Sequence, residues 1–239
     1  ELIQEKLKMP VINMGIGASY GFRYMIAEVE ESIKNGDIII LVPEYEQFYS
    51  DYYNGSEALL DIISIYPAGI KYIKSYKQYL TMFKNIPGYF VFKLRRFLTG
   101  IILGKAHAVY RKSGFNIYGD LISHLNLQSP TDISREPFFI SDNVSQNPDI
   151  FNDMNKFYDI VKKKNAKSFL AYPAIPQPQF TAAYKKLSEL DNFITQNCIM
   201  PVLAKPQRYT YNTSLFYDTI YHLSKEGRRK RTVDLIEDL

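Results

Sequence analysis

A continuous apolar run, Asp37–Val42 (DIIILV), constrains the fold of this chain more than any other feature. The run is short and bounded by turn-forming residues, which is typical of a parallel strand covered on both faces. Residues 19–34 before it repeat apolar side chains at helical spacing, and Asn35-Gly36 is a suitable end for that helix. Pro10–Gly15 has the pattern of another short buried strand. Residues 10–43 therefore predict a β-α-β unit.

The same alternation returns in the last third of the chain. The predicted elements there are helices at 152–164 and 181–196 and strands at 167–172 and 198–203. A final helix over Ser224–Leu239 would begin at Ser224, whose hydroxyl is a good N-cap. Strands alternating with helices predict a doubly wound α/β domain.

Residues 50–147 interrupt this alternation and are predicted to form a largely helical insert. Residues 57–112 have helical spacing, with breaks expected at Pro67 and at Pro87-Gly88. Residues 113–147 are polar and are expected to form loops. A long insert between sheet elements is often a lid or a substrate-binding feature.

Charge is distributed unevenly along the chain. The net charge is +4, yet the segment from Lys71 to Lys112 holds ten basic residues and no Asp or Glu. This segment could contact an anionic membrane surface or an anionic polymer, or it could be a solvated insert whose acidic partners lie elsewhere. No nucleic-acid-binding motif accompanies the charge, so we expect no nucleic acid as a partner. The candidate residues for substrate or surface binding are Lys71, Lys74, Lys77, Arg95 and Arg96.

Cysteine and hydropathy exclude other classes of protein. Cys198 is the single cysteine, which excludes an intrachain disulfide and any cysteine-based zinc or iron–sulfur site. We predict no metal and no cofactor. No run of about 18 uncharged apolar residues is present, so no transmembrane helix is predicted.

Two groups of residues could carry chemistry. The first is Asn13–Gly21 (NMGIGASYG), where glycines allow a ligand close to the backbone and the start of a helix offers N–H groups to negative charge. The second is Asp218 with His222, because an Asp four residues before a His on a loop can fix the imidazole tautomer for general-base work. The alternatives are a tight turn without a ligand and ordinary hydrogen bonds within a loop.

Four other polar sites have simpler interpretations. His124 is expected to cap a loop rather than line a cleft. Glu44 and Glu46 are either paired acids or caps of a neighbouring helix. The run Arg228–Arg231 is expected on the solvated face of the last helix.

Residues 10–43 and 211–239 together resemble an SGNH (GDSL-like) hydrolase. The tail YDTIYHLSKEGRRKRT is similar to the last block of that family, in which an Asp precedes the catalytic His. VINMGIGASYG is similar to its second block, whose glycine N–H helps to form the oxyanion hole. FNIYGD (Phe115–Asp120) resembles a segment of bacterial SGNH-like proteins that modify cell-surface polymers.

The resemblance implies a three-layer α/β/α, flavodoxin-like fold in a single domain of residues 1–239. It also implies an esterase or O-acyltransferase acting on an ester of a carbohydrate or cell-envelope polymer. His222 would be the general base, Asp218 would orient it, and the N–H groups of Gly17 and Gly15 would bind the oxyanion. It also implies an extracytoplasmic location, with a membrane anchor upstream of this chain as one option. Acyl group, acceptor and oligomeric state stay open.

Three departures from the family pattern accompany the resemblance. Glu1–Met9 contains no Ser and no Gly, so the family's nucleophilic serine is expected upstream of this chain. Pro43–Glu46 stands where the family has a Gly-x-Asn-Asp block, so either Tyr45 substitutes as an oxyanion donor or no residue does. The spacing from Asp218 to His222 is one residue longer than usual. The absent serine and the departure at Pro43–Glu46 favour an alternative, a non-catalytic SGNH-like binding or scaffolding protein at the cell envelope.

Overall fold

A computed structural model describes residues 1–15, 17–103, 109, 112–141 and 148–239, without the side chains at 96, 99–103 and 148. The helices are α1 (Leu2–Leu7), α2 (Phe22–Ser32), α3 (Ala58–Ile65), α4 (Tyr76–Leu103), α5 (Pro148–Lys163), α6 (Gln177–Asn197) and α7 (Lys225–Asp238), and the strands are β1 (Ile38–Leu41), β2 (Lys167–Leu170), β3 (Ile175–Pro176) and β4 (Thr210–Tyr211). None of the described helices is long and apolar enough to cross a membrane.

The fold is a helix-rich α/β arrangement with two small parallel sheets. β1 pairs with β2 from Ile38 opposite Lys167 to Leu41 opposite Leu170, and β3 pairs with β4. The α/β class predicted from the sequence is therefore confirmed. In the described ranges the strands do not join into a clear three-layer sheet, and β1 has one neighbour instead of two. Its first residue, Ile38, is exposed, which differs from the strand covered on both faces that the sequence predicts.

The amphipathic prediction for the first long helix is confirmed. Phe22 and Ile26 lie on one face of α2 and are buried in the main core, and Ile33, the residue directly after the helix, is buried there too. The helix begins at Phe22, after a short 3₁₀ turn. Gly36 has φ +84°, a left-handed conformation that glycine adopts without strain, and it ends the segment as predicted.

The strand predicted at Pro10–Gly15 is wrong. These residues have no regular secondary structure, and the Asn13 N–H donates to the carbonyl of Tyr118 (2.7 Å) instead of joining a sheet. Gly119 makes this contact possible, because a Cβ atom at that position would overlap the carbonyl oxygen of Asn13. The early segment is therefore held by the insert.

The elements after the insert largely follow the prediction. α5 and α6 cover both predicted helices, and Met154, Phe157 and Leu190 bury their apolar faces in the main core. The strand predicted at 198–203 is reduced to one parallel bridge between Leu170 and Val202.

The part of the insert from 57 to 103 is largely helical as predicted, but one of its two predicted breaks is wrong, and most of the predicted continuation from 104 to 112 lies outside the described residues. The chain does break at Pro67, whereas α4 continues through Pro87-Gly88. Pro87 lacks the N–H that would bond the carbonyl of Phe83. Both Pro87 and Gly88 are exposed, so solvent can satisfy that carbonyl and the helix persists.

The last helix is held by buried polar groups rather than by an apolar stripe. The Arg231 guanidinium donates to the carbonyl of Tyr172 (2.8 Å) and lies 3.4 Å from the centre of the Tyr209 ring. Asp234 is buried and accepts from the hydroxyl of Tyr211 (2.8 Å). The expectation of a fully solvated Arg228–Arg231 face is therefore wrong at Arg231.

Candidate functional site

The Asp218–His222 pair lies on a tightly closed loop. Phe216 and Leu223 form an antiparallel bridge at its base, and the Tyr217 N–H donates to the carbonyl of His222 (2.7 Å). Asp218 Oδ1 lies 2.7 Å from His222 Nδ1, so the contact expected from their spacing is present. The Asp218 side chain is 18% exposed and that of His222 is 45% exposed. The imidazole is thus oriented by a carboxylate and remains accessible.

The start of α7 fixes the base of this loop. The Ser224 side chain accepts from the Gly227 N–H (3.3 Å), which confirms the predicted N-cap. A Cβ atom on Gly227 would overlap the carbonyl oxygen of Leu215. Glycine is therefore required here for the helix to approach the loop.

We expect Gly227→Ala to lower the free energy of unfolding by about 2 kcal/mol, because the added methyl group must displace backbone rather than a flexible side chain. Denaturant unfolding monitored by circular dichroism measures the change. Gly88→Ala is the matched control, since Gly88 lies in a helix and has no atom near its Cβ position. That variant should be about 0.5–1 kcal/mol more stable. Equal effects in both variants would contradict the close contact at Leu215.

The insert supports the loop from its other side. The Ser129 hydroxyl donates to the carbonyl of Tyr217, and the Thr131 hydroxyl donates to that of Asp218 (3.3 Å). His124 Nε2 lies 3.1 Å from the carbonyl of Leu223, so the loop-capping role expected for His124 is confirmed. Sequence reasoning missed the other two contacts, which join residues about 90 positions apart without a local signal.

The three glycines of the early segment have different environments. The Gly15 N–H donates to the Asn13 side chain (3.0 Å). One of the two predicted oxyanion donors is therefore already hydrogen-bonded within the protein. Gly17 precedes the 3₁₀ turn Ala18–Tyr20, and its N–H donates to no acceptor in the described ranges. Gly21 is explained by packing, because a Cβ atom there would overlap the backbone of Gly55. Gly17 is therefore the better candidate donor.

The segment after β1 contacts both the residues that follow Gly17 and the loop closed by the Phe216–Leu223 bridge, here called the histidine loop. Gln47 donates from its amide nitrogen to the carbonyl of Ala18 (3.0 Å) and accepts from the Phe22 N–H (3.1 Å). Next to it, Glu46 accepts from the hydroxyl of Tyr221 (2.7 Å), the neighbour of His222. The sequence does not predict this link, since Tyr221 and Glu46 are 175 residues apart.

A second link between the two ends of the chain passes through Asp120. Its carboxylate accepts from the Asn13 side chain (3.1 Å) and lies 4.0 Å from the Arg228 guanidinium in α7. The FNIYGD segment, 115–120, thus contacts the segment before Gly17 and the helix after His222.

Three carboxyl groups near the histidine loop lie in poorly solvated positions. Burial, with a smaller contribution from Glu46, raises the pKa of Glu44 to about 7. Burial also raises the pKa of Glu46, although the Tyr221 hydroxyl opposes the shift. Burial raises the pKa of Glu136 as well, and the nearby Asp218 adds to it. Of the two interpretations of Glu44 and Glu46, paired acids fit better, because Glu44 makes no capping hydrogen bond.

The position of Tyr45 does not support an oxyanion role. Its side chain is fully buried and lies between Phe138 and Tyr172, with ring centres 5.8 and 6.1 Å away. Its hydroxyl makes no hydrogen bond to any described residue. The apolar run before it carries Tyr45 into the core, away from solvent.

The cationic candidates fall into two groups. Lys71 and Lys77 are paired within the protein, Lys71 with Glu31 (2.5 Å) and Lys77 with Asp149 (2.7 Å). Lys74 and Arg95 are exposed and make no ion pair with described residues. The side chain of Arg96 lies outside the described residues.

A shallow cavity of about 390 Å³ lies apart from these groups, between the end of α6 and residues 200–205. Asp191, Cys198 and Lys205 are among its lining residues, and neither the early glycines nor the histidine loop contributes to it. Among the described side chains, no three His, Cys, Asp or Glu residues are grouped as a metal site.

Comparison of the chain with protein-family models, with curated proteins and with solved structures found no significant match in any of the three.

Proposed function

We propose that this chain belongs to an SGNH-type esterase or O-acyltransferase. The substrate would be an ester of a carbohydrate or cell-envelope polymer, and the protein would work outside the cytoplasm. The nucleophilic serine would come from sequence that precedes Glu1. On this proposal the two parallel sheets belong to a flavodoxin-like SGNH domain.

One observation carries the proposal: the 2.7 Å contact between Asp218 and the accessible His222. A carboxylate on Nδ1 holds a proton at that nitrogen and makes Nε2 the basic one. The loop that holds the pair is closed at its base and supported by the insert and α7. A preorganised carboxylate–imidazole pair is what acyl transfer requires of its base.

The proposed steps follow from these positions. The serine Oγ attacks the ester carbonyl carbon while its proton passes to His222 Nε2, and the carbonyl oxygen becomes an oxyanion. The ester C–O bond then breaks, and the leaving oxygen takes the proton from the imidazolium. Water or a sugar hydroxyl repeats the sequence on the acyl-serine. Asp218 stabilises the imidazolium throughout.

The Gly17 N–H is the proposed oxyanion donor. One such donor contributes about 3 kcal/mol to the transition state. The Gln47–Ala18 and Glu46–Tyr221 contacts support this assignment, because they tie the glycine segment and the histidine loop to the same six residues after β1. Tyr45 and Gly15 are not part of the proposed site.

We expect Asp218→Asn to lower kcat for p-nitrophenyl acetate by about 100-fold with little change in KM, because the amide no longer stabilises the charged imidazole. The assay uses the longer protein that includes the residues before Glu1. Asp159→Asn is the matched control, since it makes the same substitution at an exposed position on α5, outside the histidine loop. Unchanged kcat in Asp218→Asn would reject Asp218 as the orienting group.

A second function is favoured by the absence of an Asn donor after β1 and by the burial of Tyr45. It is a non-catalytic SGNH-like protein that binds or organises an envelope polymer. The same assay separates the two functions. A longer protein that binds acylated polysaccharide but never hydrolyses an activated ester would fit the binding function alone.

A further inference from the structure

The long helix α4 exposes most of its apolar side chains to solvent, whereas an ordinary surface helix turns them toward the protein. Its side toward the protein is mostly polar: Gln78 is fully buried, and Asn85, Tyr89 and Lys93 follow at helical spacing and are partly buried. The Tyr89 hydroxyl contacts Ser64 (3.0 Å), and the Lys93 ammonium pairs with Asp61 of α3 (2.5 Å). Together with Met82, which packs against the smaller buried cluster around Leu59, these polar contacts hold α4 to the protein.

The outward side of α4 is apolar. Phe83, Phe90 and Phe97 are 67, 67 and 65% exposed and occur every seven residues. Ile86 and Leu94 lie between them and are about half exposed. These five residues, the outer stripe of α4, fall on one face at 3.6 residues per turn. A surface helix normally turns such a face toward the core.

Cationic side chains border the outer stripe on one side. Lys84 and Arg95 are 11 residues apart, so both lie on the same side of the helix, roughly 120–140° from the centre of the stripe. Both are exposed, and neither makes an ion pair with a described residue. The sequence from Lys71 to Lys112 contains no acidic residue that could neutralise them locally.

We propose that the outer stripe of α4 docks on the surface of an anionic phospholipid bilayer. Phenylalanine, leucine and isoleucine side chains would enter the boundary between headgroups and acyl chains, with Lys84 and Arg95 at the lipid phosphates. Charge complementarity favours this occupant over a second copy of the chain. A symmetric contact between two α4 helices would bring together cations without acidic partners on either helix. The proposal is independent of the ester chemistry at His222.

Vesicle co-sedimentation of the 239-residue chain tests the proposal. Vesicles of phosphatidylcholine alone are compared with vesicles that also contain phosphatidylglycerol, at low and high salt. We expect binding to the anionic vesicles that weakens with salt.

Substitutions test the two parts of the surface separately. The double variant Phe83→Ser with Phe90→Ser should lower the partition coefficient at least tenfold. The double variant Lys84→Glu with Arg95→Glu should lower it roughly tenfold on anionic vesicles only. Phe139→Ser and Lys185→Glu are matched controls on exposed side chains elsewhere and should bind as the parent does.

A fluorescent reporter gives an independent measurement. The chain contains no tryptophan, so Phe90→Trp supplies the only indole emission. Its emission should shift to shorter wavelength on anionic vesicles, whereas that of Phe139→Trp should not. The proposal would be overturned if the parent chain bound neither kind of vesicle, or if the double variant Phe83→Ser with Phe90→Ser bound as the parent does. If the chain bound no vesicles but formed dimers in sedimentation equilibrium, and the same double variant abolished the dimers, the stripe would be assigned to a second copy instead.

Discussion

His222→Ala is expected to lower kcat/KM for p-nitrophenyl acetate by about 1000-fold or more in the longer protein. The reason is that the variant loses both the base for the attacking serine and the acid for the leaving oxygen. Because the His222 side chain is 45% exposed, the substitution should hardly change the free energy of unfolding.

Two measurements show whether the loss is chemical. Unfolding in denaturant should give the same midpoint for the variant and the parent protein. Added imidazole should restore part of the turnover, since it can enter the space left by the ring and accept the proton. Turnover that is unchanged in His222→Ala would refute the proposed site. Asp159→Asn serves again as the control for a substitution away from the loop.

Glu44→Gln should change how stability depends on pH, with an effect of about 3 kcal/mol. Burial beside Glu46 raises the pKa of Glu44 to about 7 in the folded protein, from an ordinary value of 4.5. The folded state therefore holds the proton more tightly than the unfolded chain. The stabilisation of the folded state that this tighter proton binding provides is fully present below about pH 4.5 and is lost as the pH rises through 7.

The comparison of variant and parent isolates this effect. We expect Glu44→Gln to be more stable than the parent protein at pH 8, and the difference should shrink as the pH falls toward 4.5. Denaturant unfolding at a series of pH values measures it, with Glu57→Gln, an exposed residue, as the control for the substitution itself. A difference that stays constant across this range would show that Glu44 is ionised without cost in the folded protein.

Features that depend on nearby residues could be predicted from the sequence. The buried face of α2, the N-cap at Ser224 and the Asp218–His222 contact all arise within a few positions of the chain, where spacing alone brings side chains together.

Features that depend on distant partners could not be predicted. The Pro10–Gly15 segment has the apolar pattern of a strand, but its N–H groups are satisfied by Tyr118 and by its own Asn13. Arg231 lies in a run of charges typical of a solvated face, yet Tyr172 and Tyr209 enclose it. The link from Glu46 to Tyr221 has no local signal at all. Each of these outcomes was decided by which surfaces meet after folding.

The most direct test of the proposed site is an amide and ring NMR measurement on the longer protein after a fluorophosphonate has reacted with its serine. The adduct places a tetrahedral, negatively polarised oxygen where the oxyanion would form. We predict that the Gly17 amide signal and the His222 ring signals shift together on adduct formation. An adduct that leaves the Gly17 amide unmoved, or a protein that forms no adduct, would contradict a shared site for the early glycines and the late histidine.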